Sequence, residues 1–147
     1  MKRNLLLLLL FSTLFISCRR QVEDRLFGQW KLDQSFRRDF LDRDYFTTGY
    51  EAGVFTFNES GTASYTSATD TLTGYWEADF YNRGYYDGNG NWQNSRQKYL
   101  RIYLVNFQAN QVFNLNLDEF NFRNNWNCIR GTQYSYGRDR IYEFVRL

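Results

Sequence analysis

The sequence of 147 residues contains no histidine, no proline and only two cysteines. Without histidine, the Ser-His and Cys-His pairs of nucleophilic catalysis cannot form. Zinc sites usually need several His or Cys ligands, which this chain does not supply. The absence of proline has a structural meaning, because proline removes a ladder hydrogen bond from a sheet. The chain is therefore suited to long, uninterrupted strands.

The chain also lacks an excess of positive or negative side chains. The formal net charge of +2 is carried by Lys2 and Arg3, so the rest of the chain has no net side-chain charge. This gives no basis for binding nucleic acid through the whole domain. Asp39, Asp42 and Asp44 form an acidic cluster, but their spacing is not that of a calcium loop. The sequence therefore predicts no metal, no cofactor and no enzymatic activity, although paired carboxylates placed by the fold remain a third hypothesis.

The first eighteen residues have the order of a secretory signal. A positive end is followed by an apolar run from Leu5 to Ile16, and Ser17 then precedes Cys18. The run is shorter than the roughly 20 residues that a membrane helix needs. A small residue directly before a cysteine resembles the lipobox of bacterial lipoproteins, in which the cysteine is acylated and becomes the first residue. This resemblance implies lipidation at Cys18.

The predicted organisation follows from that resemblance. Residues 1–17 are a lipoprotein signal peptide, residues 18–25 a lipidated tether and residues 26–147 a single domain. The expected location is the bacterial cell envelope, with the protein anchored by lipid to the outer membrane. We expect it to face the periplasm, because the acidic run that often follows the cysteine of surface-exported lipoproteins is missing here. The membrane is thus the first predicted partner.

Hydrophobic residues alternate with polar ones along most of the domain, the period of half-buried strands. The pattern predicts about eight strands in an all-β, antiparallel up-and-down meander. A sheet of that size closes into a barrel or folds over as a sandwich. One short helix is predicted from Asp39 to Phe46. Residues 81–95 are predicted to be a long connection, the tip of one hairpin between the strands around Trp76 and Ile102.

Two short motifs resemble a known family. Gly28-Gln29-Trp30 opens the first strand, and Gly74-Tyr75-Trp76 lies in a later one. The first resembles the glycine-x-tryptophan start of lipocalins, and the set resembles the small lipocalin-like lipoproteins of Bacteroidetes. The resemblance implies a lipocalin-like β-barrel in the envelope and specifies no ligand.

Aromatic residues make up 20% of the chain, and they support two hypotheses of function. In the first, the barrel binds a small apolar or amphipathic ligand without catalysis, lined by Trp30, Phe40, Leu41, Phe55, Phe57 and Trp76, with Phe40 and Leu41 on a lid. In the second, the barrel is filled, and an aromatic loop contacts a protein or glycan partner through Tyr81, Tyr85, Tyr86 and Trp92. Cys128 is predicted to be a buried small apolar residue.

Overall fold

The computed structural model describes residues 24–38 and 42–147, and within these residues it contains strands and no helix. Cys18, Phe40 and Leu41 lie outside the described residues. The strands are β1 (Gly28–Arg38), β2 (Arg43–Tyr45), β3 (Val54–Phe57), β4 (Thr62–Thr66), β5 (Thr71–Tyr86), β6 (Trp92–Asn106), β7 (Gln111–Leu117), β8 (Glu119–Arg123), β9 (Cys128–Gln133) and β10 (Arg140–Arg146). The all-β prediction is confirmed.

All ten strands belong to one antiparallel sheet with the order β7-β6-β5-β4-β3-β1-β10-β9-β8, and β2 pairs with β1 beside this path. The sheet is not closed by a ladder between its edge strands β7 and β8 within the described residues. Ten strands are present, where about eight were predicted. One of the additional strands is the short β2, in the segment where a helix was predicted.

The predicted helix from Asp39 to Phe46 is wrong where the structure describes it, because Arg43–Tyr45 is extended and pairs with the end of β1. Two contacts across this pair explain the outcome. Arg37 forms an ion pair of 3.0 Å with Asp44, and the rings of Phe36 and Tyr45 lie 5.5 Å apart. Tertiary contacts of this kind commonly override a local helix signal.

β7 and β8 are successive segments of the chain, separated only by Asp118. The backbone N–H of Asp118 donates to the carbonyl of Thr132 over 2.9 Å, and Glu119 also pairs with Thr132. Two residues facing one is the arrangement of a β-bulge, which bends a strand and redirects its side chains. Because of this extra residue, Leu117 and Phe120 are both buried in the core, while Asp118 and Glu119 lie on the outside.

The two ends of the sheet curl toward each other around an aromatic core. The ring of Phe55 on β3 lies 5.1 Å from that of Phe113 on β7 and 5.5 Å from that of Phe144 on β10. These strands are not neighbours in the sheet, so the rings meet across its interior. Tyr50, in the connection before β3, packs 4.6 Å from Phe113. The described interior is therefore occupied by side chains in mutual contact.

β5 and β6 form one hairpin that extends far beyond the other strands. Their pairing is continuous from Thr73 opposite Val105 to Tyr86 opposite Trp92. The turn is held by the carboxylate of Asp87, which accepts hydrogen bonds from the backbone N–H groups of Asn89 and Asn91, both 2.9 Å. The prediction of one long hairpin is confirmed. Residues 81–95 are mostly paired strand rather than a loop, because the register of the ladder continues to the turn.

Candidate functional site: a tyrosine groove on the outer face

The outer face of β5, β6 and β7 bears a groove of about 850 Å³. We call it the tyrosine groove. Residues at alternate positions of the three strands project away from the core and form it. Its outward-facing lining residues are Tyr75, Glu77, Tyr81, Tyr99, Arg101, Tyr103, Asn114, Asn116 and Asp118. The volume lies in the range of small-ligand pockets, about 300–1,000 Å³.

Cross-strand register sets these side chains in rows. Tyr75 is opposite Tyr103, which is opposite Asn114 on the next strand. The following row contains Glu77, Arg101 and Asn116. Directly opposite residues on one face of an antiparallel pair are close enough to interact. The groove thus alternates rows of aromatic rings with rows of charged and amide groups.

The tyrosines form two pairs of rings, one between directly opposite residues and one between diagonal neighbours. The ring centroids of Tyr75 and Tyr103 are 5.4 Å apart, with 30° between their planes. Those of Tyr81 and Tyr99 are 6.3 Å apart. Tyr99 and Tyr103 are four residues apart on β6, a separation of about 13 Å at the rise of a strand. Two ring platforms therefore lie toward opposite ends of the groove, with polar groups between them.

Glu77, Tyr99 and Arg101 form the polar centre. The Tyr99 hydroxyl donates a hydrogen bond to Oε1 of Glu77, and Nη1 of Arg101 lies 3.8 Å from the other carboxylate oxygen. The Arg101 guanidinium also lies over the Tyr99 ring, 4.8 Å from its centroid. The hydrogen bond to Glu77, together with burial, raises the pKa of Tyr99 to about 12. Tyr99 is thus a neutral phenol at physiological pH.

Asp118 lines the groove and is bound to Tyr134, which lies outside the lining of the groove. The backbone N–H of Tyr134 donates to the Asp118 carboxylate over 2.7 Å, and the Tyr134 hydroxyl donates to Glu119 over 2.8 Å. Burial, followed by this bond to Glu119, raises the pKa of Tyr134 to about 12. The bulge is therefore fixed to the segment after β9. Bulges are over-represented next to binding sites, where they re-aim side chains.

The structure places the predicted ligand-lining residues in the core. Trp30, Phe55, Phe57 and Trp76 are all buried. The indole N–H of Trp30 donates to the Leu26 carbonyl over 2.7 Å, and that of Trp76 donates to the Asn58 carbonyl over 3.0 Å. Their polar atoms are thus satisfied by backbone. Phe40 and Leu41, the predicted lid, lie outside the described residues.

The predicted partner residues are divided between two places. Tyr81 lines the tyrosine groove. Tyr85, Tyr86 and Trp92 lie at the tip of the β5–β6 hairpin, where Trp92 is 58% and Tyr86 70% exposed. The rings of Tyr86 and Trp92 are 5.0 Å apart. The hairpin brings these three together, and none of them lines the groove.

The main residues of the groove were not predicted from the sequence. A usable signal exists, however. The outward positions of three successive strands carry Tyr75, Tyr99, Tyr103, Asn114 and Asn116, where a solvated face more often carries lysine, glutamate or threonine. Planar, hydrogen-bonding side chains on one sheet face indicate a surface suited to contact.

Comparison with known proteins adds no relative. No family model, no curated protein and no solved structure matches the chain. In the described parts of the chain, no helix is long and apolar enough to cross a membrane. The same residues contain no group of three or more His, Cys, Asp or Glu side chains that could hold a metal ion. The functional argument therefore depends on the geometry of the groove.

Proposed function

We propose that this protein is a non-catalytic, envelope-anchored module that binds a glycan in the tyrosine groove. The observation that carries the proposal is the alternation of ring pairs with a polar centre on one exposed sheet face. Tyrosine rings offer flat apolar surfaces with polar tips, which suit the C–H faces of sugar rings. Asn114, Asn116 and Arg101 offer amide and guanidinium donors for sugar hydroxyls.

The attachment to the membrane belongs to the same proposal. Acylation at Cys18 would hold the domain at the envelope, since each buried methylene contributes about 0.8 kcal/mol and several chains anchor durably. The intact mass of the protein purified from its native host should show acyl chains on Cys18 and loss of residues 1–17. An unmodified Cys18 would contradict the proposed attachment to the membrane.

We further propose that the curled sheet is a lipocalin-like barrel in meander order with a seam between β7 and β8. Two features support this. Consecutive strands pair along the order of the sheet, except that β1 pairs with β3 and with the last strand, β10. In addition, Phe55 meets Phe113 across the interior. A filled barrel favours a ligand on the outside over a small apolar ligand inside, because Trp30, Phe55, Phe57 and Trp76 all pack into one core cluster.

The experiment is a binding screen with matched variants. The purified protein is tested against immobilised neutral oligosaccharides of increasing chain length. Tyr75→Ala should weaken binding about tenfold, since a ring contact is worth about 0.5–1.5 kcal/mol. Tyr45→Ala is the control, because Tyr45 and Tyr75 are both 57% exposed and only Tyr75 lines the groove.

Two results would contradict the proposal. If no oligosaccharide binds, the ligand is not a glycan of this class. If the Tyr45 and Tyr75 variants lose the same amount of affinity, the tyrosine groove is not the binding site. Affinity should also rise with chain length, because only an extended ligand reaches both ring pairs about 13 Å apart.

A second candidate function is capture of a protein by the hairpin tip. The observation that favours it is the exposed cluster of Tyr85, Tyr86 and Trp92, since aromatic residues are enriched at protein interfaces. Deletion of residues 85–92 separates the two functions. Oligosaccharide binding should persist after the deletion, because no residue of that segment lines the groove.

A further inference from the structure

A second cavity, of about 220 Å³, lies on the outer face of the sheet where β8 and β9 pair. It shares no lining residue with the tyrosine groove. Three arginines line it, Arg38, Arg123 and Arg130, together with polar groups of Asn121 and Thr132. Its volume is below that of a typical ligand pocket, so it suits a small chemical group.

Arg130 is the fixed member of this cluster. Its side chain is only 14% exposed and forms an ion pair of 3.4 Å with Glu143. Burial lowers the pKa of Arg130, and the positive charges of Arg123 and Arg38 lower it further against the opposing effect of Glu143. All three arginines line the same small cavity, where their positive charges repel one another.

The other two arginines, Arg38 and Arg123, have no ion-pair partner among the residues that the structure describes. Two carboxylates also line the cavity, and both are engaged. Glu119 accepts hydrogen bonds from the Tyr134 hydroxyl and the Asn121 amide, over 2.8 and 3.1 Å. Asp139 accepts one from the backbone N–H of Ser135 over 3.4 Å.

We propose that this arginine cavity binds a phosphate group. A guanidinium presents a planar fork of N–H donors that matches phosphate oxygens, often with two parallel hydrogen bonds. The charged side chains of the lining, three arginines and two carboxylates, leave one net positive charge. A phosphate anion would be attracted by this charge and would offset the repulsion of Arg38 and Arg123 on Arg130. The phosphate could be free in solution or belong to a lipid headgroup. The site is independent of glycan binding in the tyrosine groove.

The test follows the arginine side-chain N–H resonances of the purified protein by NMR. In one arm, inorganic phosphate is titrated in the presence of phosphatidylcholine nanodiscs. In the other, nanodiscs containing phosphatidic acid replace the added phosphate. Saturable shifts of the Arg130 resonances are expected, and R38Q and R123Q should each weaken binding about tenfold. Lys31→Gln is the control, because it removes one exposed positive charge outside the cavity.

Each outcome decides the proposal. Saturation by inorganic phosphate supports a site for free phosphate, and a response to phosphatidic acid alone supports a lipid headgroup. The proposal is overturned if neither arm shifts Arg130. It is also overturned if K31Q weakens binding as much as R123Q, since that result would mean non-specific attraction of anions to the surface.

Discussion

Replacement of Phe55 by alanine tests whether the interior of the sheet is filled. Phe55 is 0% exposed, and its ring lies 4.9 Å from Tyr65, 5.1 Å from Phe113 and 5.5 Å from Phe144. The substitution would remove a ring that contacts three parts of the core. Such a site cannot collapse easily, because its neighbours are held by three separate strands.

The expected cost follows from two estimates. Truncation of a buried Phe to Ala typically costs about 3–5 kcal/mol, through lost burial and the cavity left behind. Each aromatic pair adds about 0.5–1.5 kcal/mol beyond area, which places Phe55→Ala toward the upper end of that range. A domain of this size is stable by only about 5–15 kcal/mol, so the variant should be close to unfolding.

Urea unfolding followed by tryptophan fluorescence measures the effect. The control is Tyr86→Ala at the exposed hairpin tip, which should change the free energy of unfolding by about 0.5 kcal/mol or less. A loss below about 1 kcal/mol for Phe55→Ala would mean that its ring faces an open space. That result would refute the filled interior and restore the hypothesis of a small apolar ligand inside the barrel.

Two further predictions concern single polar groups. The hydroxyl of Ser35 is buried and has no hydrogen-bond partner among the described residues, so Ser35→Ala should raise the free energy of unfolding by about 1 kcal/mol in thermal or urea melts, and a loss relative to Ser95→Ala would contradict this. For Tyr99, the folded protein keeps the phenolic proton up to a pKa of about 12, whereas an unfolded tyrosine loses it near 10. Stability should therefore be complete below pH 10 and fall between pH 10 and 12. Glu77→Gln should make this fall shallower, and an unchanged slope, matching Glu59→Gln, would show that Glu77 does not hold the proton.

Much of the fold was predictable because it depends on local alternation. Outward and inward positions alternate from Thr71 to Asp79 on β5, from Leu100 to Leu104 on β6 and along β7. The turn signal Asp118-Glu119 indicates the break between β7 and β8, but the bulge itself depends on the pairing of both residues with Thr132 on β9, which the sequence does not show. The helix prediction at Asp39 to Phe46 failed for another reason. The pairing of Arg43–Tyr45 depends on contacts with Phe36 and Arg37 that only the folded chain provides.

The site was harder to predict than the fold. Sequence reasoning named the largest aromatic residues, and large aromatic residues are also the best material for a core. For Trp30, Phe55 and Trp76 the sequence left open a filled interior and a ligand cavity, and the structure buries all three. Tyr75 and Tyr103 lie nearly thirty residues apart in the chain, and only the register of β5 and β6 places them side by side. Their role as a binding surface is therefore visible only once the register of the two strands is known.

The location of binding follows from what a ligand would have to displace on each face. On the inner face, the indole N–H groups of Trp30 and Trp76 already donate to backbone carbonyls, so a ligand there would leave buried donors unpaired or separate packed rings. On the outer face it would displace only water. Arg101 has five N–H donors, and its ion pair with Glu77 is long at 3.8 Å. Hydrogen-bond donors that folding leaves free to bind a ligand therefore lie in the tyrosine groove. For this reason we expect a ligand to bind more favourably there than in the interior.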